Sequence, residues 1–235
     1  MRFFIMIVLC LVIFNCEDKQ SQKKMPTQVI DSTQIKKETI ALKTDTITEG
    51  NQKEFLLNKD NAMEFFLEYD KKHKENKVRI VTDYGNIDIL LFNETKFHRS
   101  NFIYLAKKGY FNDTQFYRVI ENYIIQGGST DNREVMRKRR YIGKYLLPTD
   151  TKRGFHHDRG VISMPSSDIE NPYKLASPYE FFIMLRDVHE LDGDYTIFGK
   201  VTSGLEVADK IANVDTDGSD WPLKNIYIRR VEVLD

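Results

Sequence analysis

Cysteine is scarce in this sequence and confined to one end. Cys10 and Cys16 are the only two among 235 residues. The chain after residue 16 therefore excludes a disulfide framework, a thiolate metal site and a cysteine nucleophile. Net charge is lacking as well, because 35 Lys and Arg balance 35 Asp and Glu. A neutral chain has no long-range attraction to nucleic acid, so we expect no nucleic-acid partner.

Long apolar runs are absent too, with one short exception at the N-terminus. Residues 3–14 are all apolar, which is too short for the roughly 20 residues of a spanning helix and typical of a signal-peptide core. Cys16 follows, and residues 17–20 are abruptly polar. The pattern resembles a lipoprotein signal cleaved before Cys16, although Asn15 replaces the usual small residue. An uncleaved signal anchor and an ordinary secretory peptide are the alternatives.

This pattern gives the first part of a domain plan. We predict a signal peptide at 1–15 and a lipid on Cys16 that anchors the protein in a bacterial cell envelope, facing the periplasm or the cell surface. Residues 16–57 are polar and without period, so they predict a flexible tether. Residues 58–77 predict an amphipathic helix, about 60–73, and a linker, because apolar residues from Ala62 to Tyr69 share one face.

The remaining residues, 78–235, predict a mainly β domain. Residues 78–82 and 87–92 are strand-like around a turn at 83–86, which indicates a hairpin. Further strands are expected at 116–120, 123–126 and 226–233. Two helices are expected, one at 101–108 with Ser100 as its N-cap and Gly109 as its stop, and one at 205–212 after Gly204. Many short strands and two helices indicate a β-barrel capped by helices.

Four motifs in this domain resemble the cyclophilin family. Residues 116–128 read FYRVIENYIIQGG, close to the family signature FHRVIxxFMIQGG. Residues 159–164 (RGVISM), 181–183 (FFI) and 191–201 (LDGDYTIFGKV) follow in the family order. The resemblance covers about 78–235. It implies an eight-stranded antiparallel barrel closed by two helices, and peptidyl-prolyl cis/trans isomerase activity.

The chemistry of that reaction explains why an arginine is needed. Rotation about an X-Pro bond is slow because amide resonance raises a barrier of about 18–20 kcal/mol. In the twisted amide the prolyl nitrogen becomes a hydrogen-bond acceptor, so a fixed cationic donor stabilises the transition state selectively. The resemblance assigns this catalytic role to Arg118. Without the resemblance, an arginine paired with a surface acid would be the simpler interpretation.

The resemblance also assigns the substrate-binding residues, and it implies no cofactor and no metal. These residues correspond to three parts of the family site: an apolar pocket for the proline ring, a glutamine that orients the arginine, and a loop that pairs with the substrate backbone. The assigned residues are Tyr123, Ile124, Gln126, Pro165, Ser166, Ser167, Glu180, Phe182, Leu191 and Tyr195.

Several positions depart from the family pattern. Glu180 stands where glutamine is common, and a carboxylate there is expected to compete for the Arg118 guanidinium or to favour basic substrates. Glu190 replaces a tryptophan of many animal members, Tyr195 replaces their histidine, and Pro165 stiffens a loop that usually has alanine. The pocket is therefore predicted to be altered.

Three other features are interpreted as structural. The basic run 136–140 is expected on a solvated loop face. His156 and His157 lack a third ligand at useful spacing for a metal, and residues 215–220 are expected to form a turn rather than a calcium loop.

Two functional hypotheses remain open at this stage. The first is a monomeric isomerase acting on proline-containing segments of exported proteins, with the membrane contacted only through the lipid. The second is a catalytically weak, cyclophilin-like module or chaperone that binds such segments on the cell envelope. A structural envelope protein with the barrel as scaffold is a third, weaker alternative.

Overall fold

The computed structural model describes residues 55–166 and 171–234. The predicted signal peptide, Cys16 and the tether up to residue 54 lie outside the described residues, as does Ser167. The elements in chain order are β1 (Leu57–Asn58), α1 (Ala62–Lys72), β2 (Lys77–Thr82), β3 (Gly85–Leu91), α2 (Lys96–Lys107), β4 (Thr114–Ile120), β5 (Ile124–Ser129), α3 (Arg133–Ile142), β6 (Gly143–Lys144), β7 (Val161–Met164), β8 (Phe181–Met184), a 3₁₀ turn (His189–Leu191), β9 (Thr196–Ser203), α4 (Leu205–Ala212) and β10 (Ile226–Leu234).

Eight of these strands close into an antiparallel barrel. The order around it is β10, β2, β3, β9, β7, β8, β5, β4, and β4 returns to β10. Strands β2 and β3 pair in register from Lys77–Leu90 to Thr82–Gly85, as their turn chemistry predicts. The predicted eight-stranded barrel is confirmed.

The barrel interior and two helices share one hydrophobic core. Alternate residues of β2 and β3, such as Val78, Ile80 and Ile87, are fully buried, which is the period-2 pattern of a strand with one face inward. Helix α2 packs against β9 and β10, and α4 against β3, β4 and β5. Both helices contribute apolar side chains to the same core, so they are the two predicted caps.

The start of α2 differs from the prediction. The helix begins at Lys96, and Ser100 lies inside it rather than at its N-cap. Its first turns carry polar side chains on the buried face: Arg99 is 2% exposed and forms an ion pair with Asp70 of α1. Ser100 Oγ lies 3.3 Å from the same carboxylate. Because these buried positions are polar, the sequence lacks the apolar periodicity from which the start of the helix could have been predicted.

Helix α1 lies within the range predicted from the sequence and packs on α2, but ordered structure begins before it, earlier than expected. The rings of Phe65 and Phe66 meet Tyr104 of α2 edge-on, with centroids 5.0 and 5.9 Å apart. Leu57, assigned by the sequence to the end of the tether, is 1% exposed and pairs in parallel with Gly143. Leu57 is therefore a core residue, because its side chain joins the cluster beneath α1.

The basic run 136–140 lies on a helix, α3, and not on the expected loop. Asn132 caps this helix, since its Oδ1 accepts a hydrogen bond from Glu134 N at 2.8 Å. Only Val135 and Ile142 of α3 are buried. With only two buried side chains in a strongly charged segment, the helix has so little apolar content that the sequence was interpreted as a solvated loop.

Residues 55–166 and 171–234 contain no helix with the length and apolar character needed to cross a membrane.

Candidate active site

Four neighbouring strands place three predicted site residues and Ser163 in one row across the sheet. Arg118 on β4 pairs with Gln126 on β5, Gln126 pairs with Phe182 on β8, and Phe182 pairs with Ser163 on β7. Residues directly opposite on adjacent strands lie on the same face of a sheet. Phe182 belongs to a cluster separate from the barrel core, whereas its neighbour Phe181 points into that core. The row therefore lies on the outer face.

A β-bulge adjusts the start of this row. Phe116 pairs with Gly127 and Arg118 with Gln126, so Tyr117 is the extra residue. A bulge bends its strand and re-aims the side chains beside it. The Tyr117 hydroxyl accepts a hydrogen bond from the Gln126 amide. The glutamine that was expected to orient Arg118 is thus bonded to Tyr117.

A second apolar cluster lies outside the barrel core and collects the predicted proline-pocket residues. Ile124 and Phe182 are buried in it, and three others pack against it while staying partly exposed: Tyr123, Leu191 and Tyr195. Partly exposed aromatic and aliphatic walls around a buried floor are the surface that a pyrrolidine ring needs. The structure therefore brings together five of the predicted substrate-binding residues.

The floor of this pocket is a set of rings. Phe182 is 4% exposed, and the Tyr195 ring stands perpendicular to it with centroids 5.5 Å apart. The His157 ring is nearly parallel to that of Phe182, with centroids 6.2 Å apart, and stands edge-on to Tyr195 at 6.5 Å. Edge-to-face and stacked rings at these separations stabilise one another.

Asp192 links the segment that carries Leu191 and Tyr195 to His156 and His157 by hydrogen bonds. Its Oδ1 lies 2.8 Å from His157 Nδ1 and also accepts the His157 backbone N–H, and its Oδ2 lies 2.7 Å from His156 Nδ1. Burial alone would raise the pKa of Asp192, but the hydrogen bonds from His156 and His157 lower it to about 2. Burial lowers the pKa of His157. In the described part of the chain, no group of three or more His, Cys, Asp or Glu is placed to hold a metal ion.

An open groove of about 500 Å³ continues from the pocket. Tyr123 and Leu191 form its shared edge, and the Arg186 guanidinium lies over the Tyr123 ring at 5.4 Å. Glu121 and Glu190 line the same groove and are exposed. The complete lining comprises Ile120, Glu121, Asn122, Tyr123, Arg186, Val188, Glu190 and Leu191.

The loop after β7 is partly engaged within the protein. The Pro165 carbonyl accepts a hydrogen bond from Ser177 N at 2.8 Å, and Ser166 forms an antiparallel bridge with Ala176. Proline has no backbone N–H to offer a substrate. Pro165 therefore contributes less to substrate pairing than an alanine would.

Glu180 lies near the row but is bonded away from Arg118. The backbone of Tyr179 and Glu180 packs closely against Gly128 of β5. Gly128 has φ of +98°, and a Cβ at that position would stand 2.3 Å from the Tyr179 carbonyl oxygen, so only glycine permits this approach. Burial raises the pKa of the Glu180 carboxyl, although Arg139 and hydrogen bonds with Tyr117 and Ser177 act in the opposite direction. Within residues 55–166 and 171–234, Glu180 therefore interacts with Arg139, Tyr117 and Ser177 and not with Arg118.

A different carboxylate lies beside Arg118. Asp220, in the segment between α4 and β10, places its Oδ2 3.3 Å from Arg118 Nε. The two residues are 102 positions apart, and nothing in the sequence around Asp220 indicates the contact. Arg118 keeps 43% of its side chain exposed.

Comparison with known proteins identifies the family. A family model described as cyclophilin type peptidyl-prolyl cis-trans isomerase/CLD matches residues 77–233. The chain belongs to this family. Peptidyl-prolyl cis-trans isomerase CYP18-2 of Arabidopsis thaliana is 33% identical to the chain over 135 residues, which cover 57% of this chain and 79% of that protein.

Longer cyclophilins match over only part of their length. The peptidyl-prolyl cis-trans isomerase-like 2 of Rhizopus delemar is 38% identical over 167 residues, which are 70% of this chain and 30% of that protein. A solved cyclophilin type peptidyl-prolyl cis-trans isomerase of Cryptosporidium parvum has a TM-score of 0.59 and 29% identity, covering 68% of this chain and 98% of that one. A second structure of that protein, in the presence of the dipeptide Ala-Pro, has a TM-score of 0.58.

Two residues that shape the site escaped sequence reasoning. Asp192 lies in the motif 191–201, and its carboxylate together with the distant pair His156 and His157 is the signal that could have revealed its role. Asp220 carries no such signal, because a pair on the protein surface follows from the fold alone.

Proposed function

We propose that this chain accelerates X-Pro cis/trans isomerisation, with Arg118 as the catalytic residue. The observation that carries the proposal is the outer-face row of Arg118, Gln126 and Phe182 on adjacent strands. Neighbouring strands lie about 4.8 Å apart, so a proline ring resting on Phe182 has its nitrogen within reach of an arginine two strands away. The guanidinium is a permanent donor for the twisted amide, and no bond needs to break.

The substrate in this proposal is a proline-containing segment of an exported protein. The predicted lipid on Cys16 and the tether would hold a monomeric domain on the bacterial cell envelope. Lipidation is checked by metabolic labelling with an alkyne fatty acid, comparing Cys16→Ser with Cys10→Ser. The proposal requires that only Cys16→Ser abolish the label.

Catalysis is tested by exchange NMR on a short Ala-Pro reporter peptide mixed with the purified full chain. We expect cis/trans exchange to accelerate with the wild type, and Arg118→Ala to lose about 10²–10³-fold in kcat/KM. Arg229→Ala is the matched control, because Arg229 is also a half-exposed arginine paired with an aspartate, Asp83. Unchanged turnover in a folded Arg118→Ala variant would contradict the mechanism.

The runner-up is a proline-segment binding module without useful turnover. The engagement of the Pro165 carbonyl by Ser177 favours it, since that group is then less available to a substrate backbone. The same NMR titration separates the two: shifts at Tyr123 and Phe182 without accelerated exchange, for several residues tried before the proline, would favour binding alone.

A further inference from the structure

The segment between α4 and β10 is a tightly bonded loop. The Asp217 carboxylate accepts the backbone N–H groups of Ser219 at 2.8 Å and Trp221 at 3.0 Å. Asp217 N donates to the Trp221 carbonyl at 2.8 Å, and Thr216 and Pro222 form an antiparallel bridge. Bonds to both sides of the turn leave its tip little conformational freedom.

Asp220 lies at that tip, and both its backbone and its side chain are held by contacts with β4. Its backbone has φ of +63°, a left-handed conformation that aspartate and asparagine tolerate better than most residues. Its carbonyl oxygen accepts a hydrogen bond from Val119 N at 2.9 Å. The loop is therefore joined to β4 at the residue directly after Arg118, which aims the Asp220 carboxylate at the arginine.

The contact between Asp220 and Arg118 is made at Nε, at the base of the guanidinium. Asp220 Oδ2 meets Nε of Arg118, at 3.3 Å. Among the described residues, the two terminal amino groups of Arg118 form no hydrogen bond, and Nε alone is engaged. A planar guanidinium held at Nε has its orientation set while its terminal donors remain available.

We propose that Asp220 is a positioning residue for Arg118, which presets the guanidinium plane for the twisted amide. This inference rests on the proposed isomerase function. The sequence allowed two interpretations of Arg118, a catalytic arginine and an arginine paired with a surface acid. In this proposal both hold, because the pair with Asp220 orients the arginine for catalysis. Glu180 does not have this role, because its partners are Tyr117, Ser177 and Arg139.

The test compares three variants of the full chain. Asp220→Gly removes the carboxylate and accepts the positive φ, whereas Asp220→Asn keeps an oxygen acceptor without the charge. Asp83→Asn, which breaks an exposed pair with Arg229, is the control. We expect Asp220→Gly to lower kcat about tenfold or more with KM within about twofold, because orientation is lost while the pocket is intact. Asp220→Asn should recover part of this loss.

A second readout follows Arg118 itself. The ¹⁵Nε–¹Hε resonance of Arg118 should shift and broaden in Asp220→Gly and stay unchanged in Asp83→Asn. If the wild type is active and Asp220→Gly turns over as fast as it, or faster, the positioning role is overturned and the isomerase function stands. If the wild type itself is inactive, the proposed function fails and the positioning role fails with it.

Discussion

The ring of Tyr195 stands perpendicular to the ring of Phe182, with centroids 5.5 Å apart. This wall of the proposed proline pocket comes from the segment before β9, and its floor comes from β8. Tyr195→Ala should raise KM for an Ala-Pro peptide by about three- to tenfold, because the proline ring would lose contact with one apolar wall, at about 25 cal/mol per Å² of apolar surface left exposed. Tyr195→His should stay within about threefold of the wild type. Equal KM values for all three proteins, measured by exchange NMR, would remove Tyr195 from the pocket.

The groove beside the pocket predicts a charge preference. Glu121 and Glu190 line it as exposed carboxylates, and Arg186 lies over Tyr123. Peptides with lysine next to the proline should be turned over about three- to tenfold better than peptides with glutamate, since opposite charges near 4 Å gain about 1 kcal/mol in water. The preference should decrease with added salt.

Removing both groove carboxylates is the direct check of that preference. The Glu121→Gln/Glu190→Gln double variant should treat the two peptides more equally. Glu232→Gln is the control, because Glu232 is paired with Arg230 on β10. A preference that survives in the double variant would have another origin.

Asp192 predicts a pH-dependent stability. Its pKa is lowered to about 2 in the folded protein, so its ionised form contributes stability at pH values above its ordinary pKa of about 4. That contribution is lost as the pH falls from about 4 toward 2. Asp192→Asn should reduce the free energy of unfolding by about 1–2 kcal/mol at pH 7. When the free energy of unfolding is measured in urea, the difference between Asp192→Asn and the wild type should become smaller below pH 4.

The neighbouring Asp194 offers a matched control for that experiment. It forms an exposed ion pair with Lys174, and exposed pairs contribute about 0–1 kcal/mol. Asp194→Asn should therefore unfold nearly as the wild type does. If both variants behave alike, the two histidines do not fasten this segment through Asp192.

Glu180 predicts the opposite pH dependence. Burial raises its pKa above the ordinary value, so the ionised carboxylate lowers stability once the pH exceeds the ordinary pKa of glutamate. Glu180→Gln should increase the urea midpoint at pH 7, and the gain should disappear on acidification toward pH 4. Because Glu180 is bonded away from Arg118, kcat/KM should change by less than about threefold. A large rise in kcat/KM would support competition between Glu180 and Arg118 after all.

The barrel could be predicted because its strands have local sequence patterns and its motifs occur in the family order. The alternation in β2 and β3 and the run from Phe116 to Gly128 each specify short strands, and four motifs in one order specify how they are joined. The outer cluster followed from the same motifs, since Phe182 is displaced by one residue from the core residue Phe181.

What the sequence did not reveal depends on long-range contacts between polar groups. Arg99 and Asp70 are buried together, so the first turns of α2 have polar residues where a helix usually shows apolar ones. Helix α3 buries only two side chains. Asp220 meets Arg118 only after the chain has passed around the barrel. In each case the decisive partner comes from a distant segment or from very few contacts.

The parallel pairing of Leu57 with Gly143 has a mechanical consequence. Traction on the chain before Phe55 would reach β1 first and would be resisted by a two-residue pairing and the burial of one leucine. Helix α1, packed on α2, and then strand β2, paired along its length on both sides, would feel the pull only after β1 had detached. Neither β1 nor its partner β6 belongs to the strands that carry Arg118, Gln126 and Phe182. A pull from the N-terminal side would therefore meet β1 and α1 before it reached the strands that carry these three residues.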